Sequence, residues 1–335
     1  MSRLFLPVAA PALILLIWSG CNTIDNSFQP PNPRPFGDGS AGAKAVSGDE
    51  ALTDTNLQYT DFTVAASATL TVESGIVIRC TGTFTNNGTI IVVPGAEGGN
   101  NNNFGTTTDG TSQQPAIGIA TLAAGNGAIG NNALARAAGA GGEGISEVEA
   151  RNTLNVGVRA GGGGGASVMQ GASGGGSLTI LGAEAVVNNG AMMAEGADGD
   201  SGAGGGGGGS FVMGSAENVT NTSNGTIVVD GGAGGTSDSS CGPGGGAGGG
   251  LIHMIAPVIS DNGMTSVAGG AAGAQGPAAS VTAAIRSAGG GGGPSVGDGG
   301  NGGGVTAGPN ADPGAAQEGE DGLSLKTLAD PTALF

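Results

Sequence analysis

One pattern recurs three times between Gly174 and Gly273, and it limits the folds open to the rest of the chain. A glycine run leads into a short apolar segment, then into a turn carrying Asn-Gly, then into a second apolar run. Gly174-Gly175-Gly176 precedes Ser177-Leu178-Thr179-Ile180 and the turn Asn188-Asn189-Gly190. Gly207-Gly208-Gly209 precedes Ser210-Phe211-Val212-Met213 and Asn224-Gly225, and Gly248-Gly249-Gly250 precedes Leu251-Ile252-His253-Met254-Ile255 and Asn262-Gly263. The second runs are Ala191-Met192-Met193, Thr226-Ile227-Val228-Val229 and Met264-Thr265-Ser266-Val267. From Gly190 to Gly225 and on to Gly263 the steps are 35 and 38 residues, a repeat length typical of solenoids and arrays.

The same short units occur upstream without the glycine runs. Leu57–Val64, Ala68–Val72, Ile76–Cys80, Thr83–Thr85 and Thr89–Val93 are β-branched, partly alternating and separated by turn residues. Helix is disfavoured by that β-branched content and by the glycine breaks. Asn-Gly suits hairpins as well as corners. The recurrence of similar short strands without meander symmetry favours a coil of parallel strands, whose inward Leu, Ile, Val and Phe stack from rung to rung. The expected fold is all-β: a right-handed parallel β-helix or β-solenoid with glycine-rich lateral loops.

Composition sharpens this. The chain has 75 glycines in 335 residues, one Trp, one Tyr and eight Phe, too few large apolar side chains for a conventional globular core. The glycines lack the strict period of collagen. They are either flexible loops or extended three-residue-per-turn helices whose backbones, lacking Cβ, exchange hydrogen bonds at close range. Nine Lys and Arg face 26 Asp and Glu, a formal net charge of −17, which disfavours nucleic acid as a partner.

In order along the chain, residues 1–20 read as a leader: Arg3, an apolar run from Leu4 to Trp18, then Ser19-Gly20 before Cys21. This resembles a bacterial lipoprotein signal, which implies lipidation of Cys21 and attachment to a membrane through it. Asn22 after the cysteine implies, by the same resemblance, the outer membrane or cell surface. Residues 21–56, with Pro30, Pro31, Pro33 and Pro35, read as a tether. The solenoid is expected over 57–310 with an insertion at 96–165, in which Ser146-Glu147-Val148-Glu149 forms a capping box for a short helix reaching Leu154. Residues 311–335 read as a weakly ordered acidic tail.

Little in the sequence points to catalysis or a cofactor. His253 is the single histidine; with Ile252 and Met254 inward it faces solvent, and with them outward it is a core residue. Cys80 shares a strand face with Ile76 and Ile78 and reads as a buried thiol, the alternative being a bridge to Cys241. Segments such as Gly196–Asp200 and Gly297–Gly300 resemble calcium-binding Gly/Asp repeats only loosely, and no metal site is expected from them. Thr69-x-Thr71 and Thr81-x-Thr83-x-Thr85 make a short Thr array, of a kind that orders water against ice when it lies on a flat sheet. Arg79, Arg136, Arg151, Arg159 and Arg286 are sparse for a polysaccharide-cleaving groove.

From Ile76 to Val93 and across the three repeats the chain resembles glycine-rich β-helical surface proteins, among them bacterial adhesins and the tips of phage tail fibres. That resemblance implies a lipid-anchored structural or adhesive surface protein without catalytic activity, with glycans or other surface proteins as partners. The alternatives are a carbohydrate-active β-helix enzyme resembling polysaccharide lyases and an ice-binding protein.

Overall fold

Short β-branched segments that cannot bury both faces alone do so here by stacking in register. The computed structural model describes residues 35–99, 101–102, 106–107, 139–156, 160–167, 170–237, 241–276, 296–304 and 314–334. All lie in the unit Arg34–Phe335. The leader and Cys21 fall outside the described residues.

The strands form six successive coils of three. The first holds β1 (Lys44–Val46), β2 (Glu50–Ala51) and β3 (Gln58–Tyr59), and the second β4 (Phe62–Val64), β5 (Thr69–Val72) and β6 (Ile76–Cys80). The third opens with β7 (Thr83–Asn86) and β8 (Thr89–Val92). It then passes through the insertion, with the antiparallel pair β9 (Asn101–Asn102) and β10 (Thr106–Thr107), α1 (Glu147–Arg151) and α2 (Thr153–Val156), and closes with β11 (Ser177–Gly182). The fourth is β12 (Ala185–Asn188), β13 (Ala191–Met193) and β14 (Ser210–Ser215). The fifth is β15 (Asn218–Asn221), β16 (Thr226–Val228) and β17 (Leu251–Ile255). The sixth is β18 (Val258–Asp261), β19 (Met264–Ser266) and β20 (Leu323–Thr327). First strands pair in parallel as sheet A, second strands as sheet B and third strands as sheet C, each six-stranded and ordered as in the sequence. This is a parallel β-helix.

Inward positions build one continuous core. Phe62, Phe84, Val186 and Val219 stack in sheet A, Leu70, Ile90, Met192 and Ile227 in sheet B, and Ile78, Ile180, Met213 and Met254 in sheet C. The Phe62 and Phe84 rings stack at 5.3 Å, and Tyr59 meets Phe62 edge-on at 5.0 Å. Each such aliphatic or aromatic side chain contributes about 1.5–3 kcal/mol by leaving water.

The coils extend beyond both limits read from the sequence. Residues 44–51, assigned there to the tether, form β1 and β2. Residues 323–327, assigned to the acidic tail, form β20 and close sheet C.

Every long excursion leaves from sheet B and returns to sheet C, and its described glycine tracts are hydrogen-bonded. Each N–H from Ala203 to Ser210 donates to a backbone carbonyl. Gly204 and Gly207 donate to Gly165 and Gly162, Gly205 and Gly208 to Gly245 and Gly248, and Gly206 and Gly209 to Ala197 and Ala194. Successive N–H groups therefore face three different neighbours and the fourth repeats the first, which is an extended helix of three residues per turn. Other segments follow the same rule: Gly231, Gly234 and Ser237 donate to Ala268, Ala271 and Ala274, and Gly244, Ala247 and Gly250 to Gly235, Gly232 and Val229. Of the two uses of glycine open from the sequence, the hydrogen-bonded bundle is the one found. A Cβ on Gly206 would fall on the Ser173 carbonyl, so the spacing admits glycine alone at this point.

Sheet C is covered on its outer face as well, and β11, β14 and β17 are buried along their whole lengths. The cover comes from α1 and α2 and from a 3-10 turn at Pro331–Leu334. Ile145 and Ala150 pack on Leu251 and Leu325, and Leu154 and Leu334 on Val212 and Ile255. Ser146 caps α1 through the expected capping box: its Oγ accepts the Glu149 N–H, and the Glu149 carboxylate accepts the Ser146 N–H.

Candidate interaction surface

The polar groups that could support chemistry are largely committed to the scaffold. Asp49, Asp61, Asp198 and Asp230 each accept a backbone N–H from the adjacent coil, those of Thr69, Thr83, Ala233 and Ala268, at 2.7–2.9 Å. Asp298 accepts from Gly144 at 2.7 Å and Asp321 from Gly269 at 2.9 Å. The Gly/Asp segments thus tie bundle strands together. Among the described residues no group of three His, Cys, Asp or Glu is placed to hold a metal ion.

His253 departs from both sequence readings. Ile252 and Met254 point into the core, so His253 points outward, yet it is fully buried beneath the cover. Its Nδ1 lies 3.3 Å from Thr153 Oγ1 and its Nε2 2.8 Å from Thr327 Oγ1. Burial, reinforced by the nearby Arg151 charge, lowers its pKa to about 4. Cys80 and Cys241 are buried thiols and are not bridged. Burial pushes the Cys80 thiol up to about 12, where it is a poor nucleophile. Arg79 donates to the Pro35 carbonyl at 2.7 Å, and Arg151 pairs with Glu147 on α1 at 2.6 Å. Arg136, Arg159 and Arg286 lie outside the described residues.

Two shallow grooves, of about 470 and 340 Å³, open at the first coil. Lys44, Asp54 and Tyr59 line the larger. Lys44 Nζ lies 3.0 Å from Glu50 and 3.4 Å from Asp54, and the Tyr59 hydroxyl donates to Asp54 at 2.7 Å. The Tyr59 hydrogen bond, helped by Lys44, holds the Asp54 carboxyl below its usual range. Lys44 aligns with inward Phe62 and Glu50 with inward Leu70, so this cluster closes the N-terminal end of the core.

Among the described residues, the outer surface of sheets A and B has no such structural duty. Parallel register turns their outward positions into columns running across the coils. Sheet A carries Ala45, Thr63, Thr85, Val187, Thr220 and Ser260 in one column. Sheet B carries Thr69, Thr89, Ala191, Thr226 and Met264 in one column and Ala51, Thr71, Ile91, Met193, Val228 and Ser266 in the next. At the corner between the sheets Asn189 donates to Asn87 at 2.8 Å. None of these residues is charged. Glu184 and Glu217 flank the surface on the sheet A side, and Glu73, Glu195 and Asp230 on the sheet B side. Burial, with Asp230 and Asp198 nearby, raises the Glu195 pKa.

Directly beneath that corner a second asparagine column faces inward. Asn86 donates to Asn188 at 2.8 Å, Asn188 to Asn221 at 2.9 Å, and Asn221 to Asp261 at 3.0 Å. The first three are fully or almost fully buried.

The sequence located the Thr-rich segments but not their arrangement. Thr69 and Thr71 lie on sheet B, Thr83 and Thr85 on sheet A, and Thr81 in the turn between sheets C and A. The rows that exist, such as Thr63–Thr85 and Thr69–Thr89, run across coils and become visible only with the register.

No family model, curated protein or solved structure matches the chain.

Proposed function

We propose that this chain is a lipid-anchored protein of the outer membrane or cell surface with a structural or adhesive role. The carrying observation is the uncharged, laddered surface of sheets A and B, edged by carboxylates on a strongly acidic chain. A surface cleared of charge on a molecule of net charge −17 suits contact with a neutral partner. The commitment of carboxylates to backbone N–H groups and of His253 to buried packing supports a non-catalytic role. The leader supports anchoring through Cys21, with neutral glycans or other surface proteins as partners.

The proposal is tested on cells expressing the full chain. Labelled palmitate should enter the wild type and not Cys21→Ser. The purified chain should bind a glycan array or a cell surface, with and without calcium. Labelling that persists in the variant contradicts the anchor, and a failure to bind any surface leaves no adhesive role.

A further inference from the structure

The outer surface of sheets A and B has properties that narrow its ligand. It is built on unbroken strands, and all long excursions leave at the passage from sheet B to sheet C rather than from within either sheet. Of the grooves at the first coil, the larger lies outside these columns and the smaller reaches only their N-terminal edge, at Ala51 and Thr71. A surface that does not surround its ligand binds well only what is itself broad and regular. Of the described aromatics, Tyr59, Phe62, Phe84 and Phe211 are buried in the core and the half-buried Phe36 precedes Gly37, which lies against Gln58 and Arg79 of sheet C, so these columns carry no ring on which a sugar could stack. They offer hydroxyl and methyl groups repeating at about 4.8 Å from strand to strand and about 6.6 Å along a strand. Thr, Val and Ile are stiff at χ1, so the array is ordered before contact. The absence of charge avoids the tightly oriented hydration shells that a water lattice cannot accommodate.

From this we infer that the ligand of the sheet A and B surface is ice: its hydroxyls hold first-layer water in a lattice-like order while its methyl groups sit in the spaces between. This rests on the adhesive reading above and gives that adhesion a substrate.

The test uses the purified full chain in mild detergent, fluorescently labelled, with the detergent and a labelled inert protein as controls. Its uptake into a slowly grown ice hemisphere and its thermal hysteresis are measured. The wild type should be enriched in the ice. Thr85→Lys combined with Thr220→Lys, both outward in sheet A, should lower enrichment by about tenfold. Glu217→Lys at the flank should leave it unchanged, and circular dichroism melts establish that all three proteins fold. Exclusion of the wild type from ice, or full uptake of the double lysine variant, overturns the inference. If ice uptake fails while the double variant loses binding to a neutral glycan, the ice ligand is wrong and the adhesive surface stands. If neither ligand is bound, both readings fall.

Discussion

Asn188 shows how one residue type serves the same corner of the third, fourth and fifth coils. Its amide accepts from Asn86 and donates to Asn221, all three without solvent. Asn188→Leu would leave a buried donor and a buried acceptor unpaired and should lower stability by about 2–4 kcal/mol in urea titrations. Adding Asn221→Leu should cost less than the two single changes summed, because they share a hydrogen bond. The Asn-Gly pairs in the sequence marked these corners but not always the ladder residue. In the fifth coil the turn is longer, and the buried position is Asn221 rather than Asn224. His253 gives a second residue-scale expectation. In the unfolded chain it takes up a proton near its ordinary value of about 6.5, and in the folded chain only near 4. Between those values the unfolded state holds the extra proton, so its contribution lowers stability as pH falls through that window, by up to about 3 kcal/mol. His253→Gln should flatten that part of the pH dependence, measured as the urea midpoint from pH 7 to pH 4. Its burial was not legible because the cover belongs to α1, α2 and the last strand, all distant in sequence.

At the scale of elements, the strands of the coil were readable and the glycine segments only in outline. Ile76–Cys80 and Leu251–Ile255 carry continuous apolar and β-branched runs, and their limits match the strands found. Val258–Asp261 and Asn218–Asn221 are weaker signals that become strands because a neighbouring coil supplies the partner. A glycine tract carries no side-chain period, so nothing in it displays the three-residue rotation of its hydrogen bonds. That rotation gives a test. Gly206→Ala places a methyl against the Ser173 carbonyl and should cost about 1–3 kcal/mol. Gly48→Ala, which meets nothing within 4 Å, should stay within about 0.5 kcal/mol of the wild type. Equal effects at the two sites would contradict a packed bundle.

The unit Arg34–Phe335 is a coil whose three sides have different duties. Among the described residues, sheet C is closed in by the helices and residues 331–334, the bundle leaves at the passage between sheets B and C, and sheets A and B face outward. Both ends of the core are closed by charge. Lys44 and Glu50 occupy inward register positions at the first coil; at the last, Lys326 and Asp261 do so and meet at 3.0 Å. Exposed ion pairs add little stability, but inward charges on edge strands deter pairing with a second copy. Lys326→Met with Asp261→Asn should therefore produce end-to-end oligomers in size-exclusion chromatography with light scattering, where the wild type does not. The most direct test of the architecture is amide hydrogen exchange across residues 203–210. If the glycine tract is a hydrogen-bonded part of the fold, its amides exchange as slowly as those of the adjoining strand Ser210–Ser215. If it is a loop, they exchange at the rate of an unstructured chain, and the account of the bundle is wrong.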